Sequence, residues 1–130
     1  MMAQPERPNH VMLRHELHPG DRTAIADLLT ATGVFRPEEV LVAIELVDAA
    51  LADGPGSAYG WILAESSTAD PSGQASLRGL ACFGQVTLTD ATYDLYWLAV
   101  DPLARGFGIA DRLDEAVATA VSQKGGRWVL

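Results

Sequence analysis

The sequence predicts an α/β (α+β) domain, a mixed and largely antiparallel sheet flanked by helices in the order β-α-α-β-β-β-α-β. Three observations carry this. Two early segments, beginning at Asp21 and Pro37, hold apolar residues at helical spacing. Thr92 to Val100 is an apolar run with little alternation, as in a strand buried on both faces. Helical periodicity then resumes at Ile109, directly after a glycine-bearing corner.

Taken in order, Val11 to Glu16 alternates apolar and polar residues as a half-buried strand does, and His18-Pro19-Gly20 breaks it. Asp21 stands where a cap belongs for a helix carrying Ile25, Leu28 and Leu29, and Gly33 is placed to stop it. Pro37-Glu38-Glu39 opens a second helix with a fixed backbone angle and two carboxylates, and Val40, Leu41, Ile44, Val47 and Leu51 follow on one predicted face. After Gly54-Pro55-Gly56, Ala58 to Ala64 reads as a strand with Glu65 at its exit. Ser66 to Gln74 has turn composition, Leu77 to Val86 reads as the next strand, and a turn at Thr89-Asp90 leads into Thr92 to Val100, expected to be the central strand. Ile109, Leu113, Ala116, Val117, Ala120 and Val121 trace one helical face, Gly125-Gly126 ends that helix, and Arg127 to Leu130 begins a last strand.

The 130 residues suffice for one compact domain and are too few for two, so residues 1–130 are expected to form a single domain with 1–9 as a flexible leader. Nine Lys and Arg against seventeen Asp and Glu give a formal charge of −8, which repels phosphate polymers and argues against nucleic acid as a partner. The same field favours an approaching cationic amine. Cys82 is the one cysteine, which fits a cytoplasmic protein, and no apolar run reaches the ~20 residues of a membrane span. His10, His15 and His18 lack the paired spacing and thiolates of a closed metal site, so no metal is expected. Trp61, Trp97 and Trp128 fall on predicted strands and Cys82 lies inside one, all most simply as core or sheet-face residues.

The corner Val100-Asp101-Pro102-Leu103-Ala104-Arg105-Gly106-Phe107-Gly108-Ile109-Ala110 is the most informative stretch. Gly106 and Gly108 remove side chains where a backbone must approach a ligand, and a starting helix aims unpaired N–H groups outward, which suits phosphate. Two glycines alone fit a ligand-free turn equally well. No Gly-Lys-Ser or Gly-Lys-Thr follows, so the magnesium and lysine chemistry of nucleoside triphosphatases is not supplied. A dinucleotide fingerprint fails too, because Asp111 stands where a third small residue belongs.

Arg105-Gly106-Phe107-Gly108-Ile109-Ala110 resembles the acetyl-CoA signature of the GNAT superfamily of N-acetyltransferases: Gln or Arg, two residues, Gly, one residue, then Gly or Ala. Val100-Asp101-Pro102 fits its flank, the element order from Val11 to Leu130 agrees, and Thr32 to Glu39 resembles one branch of small bacterial GNAT proteins. The resemblance implies acetyl-CoA as acetyl donor, with its pyrophosphate on the main chain of Arg105, Gly106, Phe107, Gly108, Ile109 and Ala110. It implies a bulged strand whose exposed edge at Leu98, Ala99 and Val100 takes the pantetheine arm, with an N–H near Leu98 or Ala99 as oxyanion donor. It also puts Phe35 and Arg36 over the acceptor side, the alternative being a plain turn that links the two helices.

An amine attacks a thioester only when neutral, so a proton acceptor or water relay is required. Asp94 is the first candidate base, its alternative being a carboxylate bonded to nearby backbone. Tyr96, two residues on and on the same face if the strand is regular, either orients the amine or packs. Glu65 is a third candidate on the substrate side. The acceptor expected is a small-molecule or peptide amine acetylated by direct transfer.

A GNAT domain ordinarily continues beyond the strand at Arg127-Trp128-Val129-Leu130 with a helix and two strands. Two expectations follow: a homo-oligomer through the exposed edge of the last strand, and, as the alternative to an enzyme, a shortened and weakly active or inactive domain that binds coenzyme A or another protein.

Overall fold

The computed structural model describes residues 11–54, 59–69, 75–85, 92–106, 108–123 and 127–129. The expected leader, the turns at Pro55-Gly56, Thr89-Asp90 and Gly125-Gly126, and the corner's Phe107 lie outside them. The elements are β1 (Val11–Arg14), α1 (Asp21–Thr32), α2 (Pro37–Asp53), β2 (Tyr59–Ala69), β3 (Ala75–Gln85), β4 (Thr92–Val100), a 3-10 turn (Pro102–Ala104), α3 (Ile109–Gln123) and β5 (Arg127–Val129). They build an α+β fold around one five-stranded sheet of spatial order β1-β2-β3-β4-β5, antiparallel except for the parallel β4–β5 pair.

Helices cover both faces, so strand residues of either parity find apolar partners. Trp61 and Leu63 on β2, Leu80 and Cys82 on β3 and Ala99 on β4 pack under α1 and α2 against Ile25, Leu29, Ile44 and Val47. Ile62, Ala64, Ala81 and Phe83 face the other way, against Ile109, Leu113, Val117 and Val121 of α3. This double burial explains why residues 61–64 are apolar without alternation. Cys82 is buried, and burial pushes its thiol well above the ordinary range. At Gly79 a Cβ would lie 3.0 Å from Leu113 Cδ1 and 3.1 Å from Ile109 Cγ2, so the missing side chain lets the start of α3 sit close on the sheet.

Four sequence expectations change. The second strand does not end before Glu65: β2 runs to Ala69, because Ser66 pairs with Val11 and Ala69 with Ala75, and inter-strand pairing overrides the polar composition. The middle strand is β3, and β4 is fourth, beside β5. Leu41 lies on the outer side of α2 and is exposed, whereas Ala43, Ile44, Val47 and Ala50 form the buried face. Asp21 is the first residue of α1 rather than its cap, and the cap position is Gly20.

Asp21 instead anchors the sheet edge. Arg14 on β1 donates to both Asp21 carboxylate oxygens at 2.7 and 2.8 Å and to Glu65 Oε1 on β2 at 2.8 Å, while the His18 N–H donates to Asp21 at 2.6 Å. One guanidinium thus ties two strands to the first turn of α1. Burial by itself would push the Asp21 carboxyl up, and the hydrogen bonds from Arg14 and His18 outweigh it, so it sits below the usual carboxylate range.

Candidate functional site

The parallel β4–β5 pair spans three positions, Thr92 with Arg127, Tyr93 with Trp128 and Asp94 with Val129. Beyond Asp94, β4 continues to Val100 paired with β3, and among the described residues nothing pairs its other edge. Among the described residues this edge of β4 is therefore unpaired from Leu95 to Val100.

Antiparallel pairing decides which backbone groups point to this edge. Asp101 N–H donates to Arg78 O at 2.7 Å, which makes these opposed residues a hydrogen-bonded pair. Bonded and non-bonded pairs alternate along an antiparallel ladder. With Val100 opposite Gly79, Ala99 opposite Leu80 and Leu98 opposite Ala81, the Leu98 and Val100 N–H and C=O groups turn to the open edge, and those of Ala99 turn to β3. The open edge thus offers a donor and an acceptor at every second residue, the pattern an extended amide chain matches.

The edge leads into the glycine corner. Asp101 holds the turn: its Oδ1 accepts from Leu103 N–H at 2.9 Å and its Oδ2 receives Arg78 Nη1 at 3.0 Å. Ala104 and Ile109 are buried under the sheet and clamp both ends of the corner. Between them Arg105, Gly106 and Gly108 are exposed. Gly106 and Gly108 have φ of 88° and 80°, where a side chain is strained, and among the described residues, chain neighbours aside, nothing lies within 4 Å of where a Cβ would be. Gly108 O accepts from Arg112 N–H, so α3 starts here with its first N–H groups unpaired by the helix. Exposed glycines, clamped ends and a helix start give this corner the character of an anion site.

At the other end of the open edge β4 is irregular. Leu95 pairs with Phe83 and Trp97 with Cys82, adjacent residues on β3, so Tyr96 is a one-residue bulge. The regular strand assumed for Asp94 and Tyr96 is thereby corrected, although both remain on the α1/α2 face. The Tyr96 ring reaches that face over Gly84, against Tyr59 of β2, with ring centroids 5.5 Å apart. Asp94, opposite Gly84, accepts the Leu95 N–H on its Oδ1 at 2.9 Å. The Tyr96 phenol is raised above its ordinary range, first by burial and then by Tyr59, Asp94 and Cys82.

The remaining candidates separate. Glu65 lies inside β2, 2.8 Å from Arg14 Nε. Arg36 is exposed at the start of α2, where Glu39 Oε1 accepts its backbone N–H at 2.9 Å and receives its Nε at 3.3 Å. Phe35 packs on the α1/α2 core. Among the described residues no three His, Cys, Asp or Glu side chains are grouped to hold a metal, and no helix is long and apolar enough to cross a membrane. Tyr59 is the residue that sequence reasoning missed; the signal for it was Gly84 inside a β3 run, since an interior strand glycine marks a close approach.

No family model matches the chain and no curated protein matches it. Solved structures do. A protein assigned to the GNAT family of acetyltransferases from Desulfovibrio desulfuricans is 37% identical, covers 90% of this chain over 69% of its own, and has a TM-score of 0.80. A GNAT family acetyltransferase from Brucella melitensis, solved with acetyl-CoA, is 22% identical over 92% of this chain and 73% of its own, with a TM-score of 0.64. A GNAT family N-acetyltransferase from Escherichia coli, solved with CoA, is 24% identical over 97% of this chain and 63% of its own, with a TM-score of 0.63. The latter two speak for the fold. With an edge of β4 that is unpaired among the described residues, a glycine corner at the end of that edge, and a relative of this identity and coverage, the chain belongs to the GNAT family of acetyltransferases.

Proposed function

We propose that this protein transfers the acetyl group of acetyl-CoA directly to a primary amine of a small molecule or peptide. The observation that carries the reading is the open edge of β4 running into the glycine corner. In this reading the pyrophosphate of coenzyme A lies on the main chain of Arg105 to Ala110, with the Arg105 side chain adding charge. The pantetheine arm pairs with Leu98 and Val100 as an added strand. The four residue-to-residue steps from Val100 back to Tyr96 span about 13 Å and carry the arm toward the bulge.

There the neutral amine attacks the thioester carbonyl: the C–N bond forms, the C–S bond breaks, and the electron pair leaves on sulfur as the CoA thiolate. The Leu98 N–H, turned to the open edge, stabilises the carbonyl oxygen as it gains charge. Asp94 takes the amine's proton on Oδ2, which carries no hydrogen bond among the described residues. Tyr96, a phenol that is protonated at neutral pH, orients the nitrogen through its hydroxyl. Arg36 and Glu65 are engaged in ion pairs of their own, so the acceptor side rests on Phe35 and the bulge.

Calorimetry with acetyl-CoA tests the reading, with saturable binding expected. Absence of binding overturns it and leaves an interaction module. Asp94→Asn retains an oxygen for the Leu95 N–H and so keeps the bulge; turnover near neutral pH is expected to fall by about 10²-fold or more with acetyl-CoA affinity unchanged. Unchanged turnover removes Asp94 from the mechanism.

A further inference from the structure

Tyr59 and Tyr96 stand on strands that are not neighbours, since β3 lies between β2 and β4. Their rings nevertheless meet edge to face, at 5.5 Å and an interplanar angle of 70°. What permits this is Gly84, which pairs with Tyr59 on one side and with Asp94 on the other. A Cβ at Gly84 would lie 2.9 Å from an atom of each ring. Any side chain there displaces both tyrosines. The pair is not core: Tyr96 is 41% exposed, and Tyr59 and Asp94 are half-buried. It lies at the bulge, where the β4 edge becomes unpaired among the described residues. An aromatic surface, a carboxylate and the end of the open edge therefore coincide.

We propose that Tyr59 and Tyr96, brought together over Gly84, form the wall that selects the acceptor, taking the charged ammonium of an alkylamine against a ring face beside Asp94. The inference rests on the acetyl-transfer reading of this site. Aromatic faces carry negative potential and attract ammonium groups, and the edge-to-face arrangement turns one ring's face outward from the pair. Asp94 supplies the opposite charge, and the chain's −8 charge draws cations in from solution. A neutral molecule of the same length gains neither interaction, so the wall distinguishes alkylamines, charged at neutral pH, from alcohols and from aryl amines.

The test is an NMR titration of protein with 13C-labelled tyrosine, using n-butylamine, which is cationic at pH 7, and n-butanol as the neutral probe of equal length. The amine is expected to shift the Tyr59 and Tyr96 ring signals saturably and the alcohol to leave them in place. Tyr59→Leu and Gly84→Ala should weaken the amine about tenfold, the scale of one cation–π contact, while Tyr59→Phe keeps the ring and the affinity. Acetyl-CoA affinity by calorimetry should be the same in all four proteins. Equal binding of butanol, absence of a saturable shift, or a Tyr59→Leu variant that binds butylamine as the parent does overturns the wall. Loss of acetyl-CoA binding in the parent overturns the transfer reading instead, through a separate readout.

Discussion

Gly108→Glu is expected to lower acetyl-CoA affinity by about 100-fold or more while the far-ultraviolet circular dichroism stays that of the parent. On the transfer reading the new carboxylate faces the phosphates at the start of α3. Like charges about 4 Å apart near a protein surface oppose each other by about 4 kcal/mol, and each 1.4 kcal/mol is about tenfold in affinity. The φ of 80° at Gly108 also strains a side-chain-bearing residue by about 1–2 kcal/mol, a cost to the fold that is present with and without ligand. Among the described residues, chain neighbours aside, no atom lies within 4 Å of the added Cβ, so it meets no clash there. Gly108→Ala separates the effects, because it carries the backbone strain without the charge and should lose about 1–2 kcal/mol of stability while its affinity stays within about tenfold of the parent's. Parent-like affinity in Gly108→Glu, measured by calorimetry, means that the phosphates bind elsewhere.

Arg14→Met is expected to cost about 2–4 kcal/mol in urea denaturation at pH 7, between the value of an exposed ion pair and that of a buried one. The position is intermediate, with side-chain exposures of 19% for Arg14, 12% for Asp21 and 25% for Glu65. Such a loss is a large share of the ~5–15 kcal/mol that holds a typical domain. Its pH dependence identifies the cause. In the parent Asp21 is depressed, so its contribution is present above the ordinary carboxylate pKa near ~4 and is lost as pH falls through the lower folded value. Without Arg14, Asp21 loses the hydrogen bonds and charge that lower it, while burial still opposes its charged form, so the depression shrinks. The stability difference between parent and variant should therefore shrink as pH drops from about 6 to about 3. A difference that does not change with pH would mean that Arg14 acts through packing of its stem.

Local features of the fold were legible in the sequence because they depend on residues near one another. Helical spacing gave α2 and α3, and Gly106 and Gly108 announced a corner that requires positive φ. Features that depend on register between distant segments were not legible. Ser66 to Ala69 has turn composition and became strand only through its partners on β1 and β3. Glu65 reads as a strand exit until Arg14, 51 residues earlier, is placed beside it. Tyr96 reads as an ordinary strand residue, and only the pairing of Leu95 with Phe83 and of Trp97 with Cys82 makes it a bulge. Within the site, the glycine corner could be read residue by residue. The Tyr59–Gly84–Tyr96 contact joins three strands, and no single stretch of chain encodes it.

The bulge also bears on how such a protein can change. Leu95 faces the α3 core and Trp97 the α1/α2 core, as they would if the chain ran directly from one to the other, so Tyr96 is supernumerary to the sheet's alternation. A regular strand position owes its side chain to one layer or the other. This one is an extra residue whose exposed ring leans on Tyr59 and closes neither core. Substitution there changes the surface at the bulge while Leu95 and Trp97 keep their places. A library confined to position 96 should therefore yield folded proteins, which on the transfer reading differ in selectivity.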